Sequence, residues 1–296
     1  WFEDRMPWDA KYRKAGVNGI TANAIDVVIE TGNSGPVTPI GINLPNDEQV
    51  REQYGSKSVS LSNITEAYDK SSSPGFRTEF SWTPEEVERT AKWGGLAGEL
   101  TTNMHEVIGH ASGRLAERLS GKADKAIGEY YSALEEGRAD LVGLYFLADS
   151  KMVELKLMSA ADQAAIVQAE YEGYTRNAIV QLRRVRQGTQ LEEDHMRNRQ
   201  MIVHWLLANT KAIEKRTRDG KTFYVMVDAK AFREGVGRLL AEVQRIKSEG
   251  DRADAKKLFD TYGIHFDAAL RDEVIRRVDG LRSEEHTSEL QSPMYL

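Results

Sequence analysis

The chain has 296 residues, 40% of them hydrophobic and 29% charged, with a formal net charge of −6 and no cysteine. That balance describes a globular chain of about two domains and argues against disorder. It supplies no basic footprint for nucleic acid and no thiolate for a disulfide or a metal, which leaves His, Asp and Glu as the available ligands.

Taken in chain order, "WFEDRMPWDAKYRK" has no apolar core, so it is not a signal peptide. Residues 25–35, "IDVVIETGNSG", form an apolar run that closes in a turn, and "GPVTPIGINLPN" (35–46) is a second extended stretch. Its prolines keep it from a central position in a sheet. "GSKSVSLSN" (55–63) and "KSSSPG" (70–75) read as Gly/Ser-rich punctuation. At Thr83 the character changes: an N-cap, a proline at the first helical position and acids in the first turn predict a helix. From there to about 280 the pattern is helical, with apolar spacing clearest over 158–188 and 229–263. No run reaches the roughly 18 apolar residues of a membrane span. "RSEEHTSELQS" (282–292) is similar to one reading frame of a common sequencing adapter, so residues 282–296 are expected to be a foreign tail, excluded from the site.

The chemistry gathers in "TTNMHEVIGH" (101–110), which resembles the zinc-hydrolase string HExxH with one extra residue. Histidines five apart sit roughly 140° apart around a regular helix, which argues against both binding one metal ion. A π-bulge absorbs one residue and returns both to one face, and Gly109 supplies backbone latitude. Two imidazoles need a third protein ligand. "SALEEGRADLVGLYF" (132–146) offers Glu135, Glu136 and Asp140 among Leu134, Ala139, Leu141 and Val142. Acids in so apolar a helix are costly unless paired or ligating. One of the three can ligate while the others accept the outer N–H of the imidazoles. The segment between has room for a turn at Ser120-Gly121, so that two antiparallel helices face each other across the metal. On their own, Asn43 and Asn46 read as turn residues beside Pro45. His195, His204 and His265 read as ordinary surface or core histidines.

"HEVIGH" followed by "EEGRAD" resembles the paired HExxGH and EExxA(E/D) signature of the dipeptidyl peptidase III family of zinc exopeptidases, with a short spacer similar to that of bacterial members. "GINLPNDEQVREQYGSKSVSLSN" (41–63) is similar to the segment lining the family's substrate cleft, and "DHMRNR" (194–199) to its HMxxR element. The resemblance implies a mainly α fold: a remnant of a β-containing lobe over 1–60 and a helical catalytic zinc domain over 61–281. It implies one zinc ion held by His105, His110 and Glu136, with Glu106 as general base toward the zinc-bound water. Glu135 and Asp140 would orient the imidazoles, His195 would help stabilise the tetrahedral intermediate or shuttle a proton, and Arg199 would hold nearby charge. Asn43 and Asn46 would bind the amino end of a short peptide. The implied activity is release of dipeptides from peptide N termini, in the cytoplasm, without nucleic acid or membrane as partner. A different zinc aminopeptidase and an inactive zinc-binding fragment are the alternatives. Family members are longer, so the chain is expected to be truncated at both ends.

Overall fold

The computed structural model describes residues 1–16, 21–29, 41–44, 50, 54–55, 57–61, 63–64, 74–119 and 121–291. Three short strands come first: β1 (Thr21–Ile25), β2 (Gly41–Leu44) and β3 (Lys57–Leu61). They form one sheet in the order β1-β3-β2, with β1 parallel and β2 antiparallel to β3. The edge position of β2 agrees with its proline-rich surroundings. Two expectations need correcting. The first strand lies upstream of the apolar run, leaving Val28 and Ile29 exposed. The central strand is the stretch read as Gly/Ser-rich punctuation. The burial of "KSVSL" does not alternate, since Ser58 and Leu61 are buried on opposite faces, and serine is small enough for a strand that presses on other backbone.

The rest is mainly α, as expected. Helices α1 (Pro74–Phe80), α2 (Pro84–Met104), α3 (Ala123–Ile127), α4 (Tyr131–Leu147), α5 (Ser150–Glu154) and α6 (Gln163–Val180) follow. After them come α7 (Asp194–Asn209), α8 (Ala229–Glu249), α9 (Arg252–Tyr262) and α10 (Ala268–Gln291). The start of α2 is the one the sequence predicts, since Thr83 Oγ1 accepts the Glu86 N–H at 3.3 Å. Between α7 and α8 stands a hairpin missed in the helical reading, β4 (Ile213–Arg218) and β5 (Lys221–Met226). Asp219 and Gly220 turn it with φ of 52° and 72°, the positive pair that a tight hairpin turn demands.

Helix α4 is the axis of the body. Leu134, Leu141, Val142, Leu144, Phe146 and Leu147 are fully buried, and α2, α6, α7 and α8 pack around them. Each such side chain contributes about 1.5–3 kcal/mol of hydrophobic free energy. Gly143 lies against Thr101 and Gly109 against Ala139, so α4 runs antiparallel to α2 and the turn that follows it. The first residues also belong to this body, although the sequence groups them with the β segment: Met6, Trp8 and Tyr12 are buried in its core. No helix among the described residues is long and apolar enough to cross a membrane.

Candidate metal centre

Helix α2 does not end as an α-helix. Residues His105–Gly109 form a π turn, in which the His110 N–H reaches back five residues to the His105 carbonyl at 3.1 Å. A regular helix would have sent that N–H to Glu106. The Glu106 carbonyl accepts from Ser58 Oγ on β3 at 2.9 Å instead. The extra residue of the motif is thus absorbed in a π turn, and both imidazoles reach the same side of α4. Gly109 serves closeness rather than handedness. It is absent from the glycines with positive φ, and a Cβ on it would stand 2.8 Å from both Cα and Cβ of Ala139.

Four side chains of α4 and the turn interlock. His105 Nδ1 lies 2.7 Å from Asp140 Oδ1, and His110 Nδ1 lies 3.1 Å from Glu135 Oε1. With each Nδ1 engaged by a carboxylate, the Nε2 atoms turn inward to within 3.1 Å of each other. Glu136 Oε2 completes the group, 3.1 Å from His105 Nε2 and 3.9 Å from His110 Nε2. His105, His110 and Glu136 therefore offer three ligand atoms within 4.8 Å of one another, a group that can hold a metal ion. Around a tetrahedral zinc with ligands at about 2.0–2.1 Å, neighbouring ligand atoms stand roughly 3.3 Å apart. The donor set fits.

The electrostatics belong to the same arrangement. Burial alone would lower the His105 pKa, yet hydrogen bonds to Asp140 and Glu136 overcome it and raise the pKa to about 10. Burial also works against ionised Asp140, but its bond to His105 holds it at about 2. Glu135 is held well below the carboxylate range against its burial by the charges of Arg138 and Lys247. Glu136 is lowered against its burial by the bond to His105.

Outward from this group, Arg138 is fully buried. It donates to both oxygens of Glu135, at 2.9 and 2.7 Å, and to the Gly109 carbonyl at 2.8 Å. Lys247 Nζ on α8 approaches Glu135 Oε2 at 3.0 Å. Tyr174 on α6 donates to Asp140 Oδ2 at 2.7 Å. Of these, only Arg138 had a signal in the sequence, three residues after Glu135 in "EEGRAD". Lys247 and Tyr174 reach the site from distant helices.

The remaining sequence candidates gather here in part. Helix α7 begins with Glu193 accepting the N–H groups of His195 and Met196. That places His195 exposed at the rim, its Nδ1 3.8 Å from Glu136 Oε2. Arg199, one turn further, donates to Gln181 Oε1 at 3.1 Å and stands 5.8 Å from the Tyr174 ring centre. Glu106 is half-buried beneath the sheet, and a Cβ on Gly41 of β2 would come within 2.8 Å of its Oε1. Asn43 pairs through its backbone with Ser58. Its side chain, and Asn46 altogether, lie outside the described residues. His204 and His265 stand apart from the group: His204 bonds Tyr224 at 3.2 Å, and the carbonyl of His265 accepts from Gln200.

A helical body that turns two imidazoles and a carboxylate onto one point has the architecture of a metallopeptidase lobe. A profile of peptidase family M49 matches residues 2–125 and 119–280, and the chain belongs to that family, the family of dipeptidyl peptidase III. It is 26% identical over 295 residues to dipeptidyl peptidase 3 of Nematostella vectensis, covering 87% of this chain and 39% of that protein. With the Homo sapiens dipeptidyl peptidase 3 it shares 24% identity over 317 residues, 92% of this chain and 42% of that protein. The solved structure of DPP III from Caldithrix abyssi superposes with a TM-score of 0.71 at 25% identity, covering 94% of this chain and 50% of that one. The dipeptidyl-peptidase III of Corallococcus sp. strain EGB gives 0.74 at 21% identity, covering 94% and 49%. The chain thus spans about two fifths of the length of its curated relatives and half that of the solved ones.

Proposed function

We propose that this chain is the catalytic lobe of a zinc-dependent dipeptidyl peptidase, which releases dipeptides from the N terminus of short peptides. The observation that carries the reading is the paired engagement of His105 by Asp140 and His110 by Glu135, which leaves both Nε2 atoms facing Glu136. With the His105 pKa raised to about 10, its Nε2 holds a proton toward His110 and Glu136, and a zinc ion bound there would take that proton's place among the three donor atoms.

When bound at His105, His110 and Glu136, zinc supplies a Lewis acid for the peptide carbonyl and lowers the pKa of water. Glu106 receives the proton of the attacking water and passes it to the departing amine, as a positioned carboxylate does in general acid–base catalysis. Asp140 and Glu135 keep each imidazole in the tautomer that frees Nε2. His195, at the exposed rim, meets the carbonyl oxygen as negative charge develops there. Arg199 holds the Tyr174–Asp140 side of the site by its charge. On the substrate side, the peptide backbone adds along the edge strand β2 and leaves side chains loosely read. Asn43 and Asn46 fix the amino end and so the register of two residues. A cytoplasmic setting goes with this reading.

The test is to incubate the zinc-loaded chain with a defined set of short peptides and weigh the products. N-terminal dipeptides are expected. Single amino acids would make it an aminopeptidase of another kind. Intact peptides in a sample shown to hold zinc would reduce it to a metal-binding lobe without turnover.

A further inference from the structure

The four residues that follow His110 owe their place to the first fourteen residues of the chain. Glu3 is buried, and its carboxylate accepts the Gly113 N–H with both oxygens, at 3.3 and 3.1 Å, and the Lys14 N–H at 2.8 Å. Lys14 Nζ donates to the Ala111 carbonyl at 2.9 Å, and the Arg114 N–H donates to the Tyr12 carbonyl at 2.7 Å. The strap is itself fixed, because Met6, Trp8 and Tyr12 lie in the core and Tyr12 Oη donates to Glu249 at 2.9 Å. From the opposite side, Arg138 donates to the carbonyl and hydroxyl of Ser112 at 3.2 and 3.1 Å. Residues 111–114 are thus held by both strap and α4, and Gly113 within them takes a φ of 79°.

We propose that Glu3 is a positioning residue for the metal turn, acting on His110 through Gly113 and the strap; this rests on the metal reading above. The π turn is an uncommon and poorly self-supporting conformation. Its N-terminal end continues α2, whereas its C-terminal end, where His110 sits, leads directly into the clasped segment. A buried carboxylate accepting backbone N–H groups makes charge-assisted bonds whose loss leaves those donors stranded. With Glu3 truncated, residues 111–114 relax first, and His110 loses its aim before His105 does. Glu3 and Gly113 are 110 positions apart and meet only through the tertiary fold.

The experiment measures zinc affinity by competition with a chelator, and thermal stability in excess chelator, for the parent chain, Glu3→Ala, Glu3→Gln, Tyr12→Phe and His110→Ala. Glu3→Ala is expected to bind zinc about tenfold more weakly or worse, the range seen when groups that orient a ligand are removed. Glu3→Gln keeps the size and one acceptor oxygen and should fall between. Tyr12→Phe removes the hydroxyl's bond to Glu249 and its contact with Lys11, leaves the Glu3 bonds in place, and should keep the parent's zinc affinity whatever its metal-free stability. Parent-like zinc affinity in Glu3→Ala, with only its metal-free stability lowered, would make Glu3 a plain structural residue and overturn the proposal. Should Glu3→Ala fail to fold, parent affinity in Glu3→Gln overturns it equally. If the parent binds zinc and His110→Ala does not, the metal reading stands independently of Glu3. If the parent binds none, both fall together.

Discussion

Gly109 and Ala139 touch backbone to backbone across the site, so closely that a methyl on the glycine would stand 2.8 Å from Ala139 Cα and 3.1 Å from its carbonyl oxygen. That contact sets how near the π turn lies to α4, and so how near the imidazoles come to Glu136 and Asp140. Gly109→Ala must push the two elements apart, at a cost of about 1–3 kcal/mol for overpacking. The expected result is a lower urea midpoint together with weaker zinc binding. A variant that lost stability but kept zinc affinity would show that the ligand spacing is set elsewhere.

Glu106 and Glu136 are both acids of the site, and their variants should divide binding from turnover. Glu106→Gln keeps the shape of the side chain and the backbone bond from Ser58, so zinc stoichiometry should be unchanged. Peptide hydrolysis should fall by at least about 10²-fold, the scale of general acid–base catalysis. Glu136→Ala should do the reverse in order, losing the metal first and activity with it. Full zinc occupancy in Glu136→Ala would transfer the third ligand to a neighbouring acid, with Glu135 the nearest alternative in sequence.

The site was legible because its candidate ligands come from two short segments whose spacing carries geometry. Histidines five positions apart can share a face only through a bulged turn, and a π turn at His105–Gly109 is what stands there. The role of Gly109 was misplaced, since closeness to another helix cannot be read from one strand of sequence. The central strand was lost for a similar reason: "KSVSL" carries a small polar residue, Ser58, where the strand meets the Glu106 carbonyl of the π turn. The β4–β5 hairpin did leave a signal, the Asp219-Gly220 pair, which the helical periodicity around it obscured. Lys247, Tyr174 and Glu3 left none, because each reaches the site only through the tertiary fold.

Glu135 is held by two cations, and removing either should expose how much of the body rests on it. Arg138→Met removes one donor from each oxygen of Glu135, leaving His110 and Lys247, and also withdraws donors from Gly109 and Ser112. Breaking such a buried pair costs about 3–5 kcal/mol. Lys247→Met leaves the bidentate Arg138 contact in place and should cost about 1–3 kcal/mol. Because both act on one carboxylate, the double variant should depart from the sum of the two by more than about 0.5 kcal/mol. Additive costs in urea melts would mean that the cations act independently of Glu135.

Two partly buried groups, Glu170 and His204, should tilt stability with pH in opposite directions. Burial raises Glu170 from 4.5 to about 7, despite the charge of Arg199. Between those values the folded state holds a proton that the unfolded chain has released, so this contribution is full below pH 4.5 and is lost as pH rises to 7. Burial lowers His204 from 6.5 to about 4. Here the unfolded chain binds the extra proton, so the contribution is full above pH 6.5 and is lost as pH falls to 4. Each is worth at most about 3 kcal/mol, less to the extent that the side chain keeps contact with water. In the parent the two slopes oppose each other over the shared window, and single variants separate them. Relative to the parent, Glu170→Gln should gain stability as pH rises from 4.5 to 7, and His204→Gln should lose it from 4 to 6.5. Urea melts at half-unit pH steps read both slopes. A pH-independent difference for either variant would mean that its side chain titrates alike in the folded and unfolded chain.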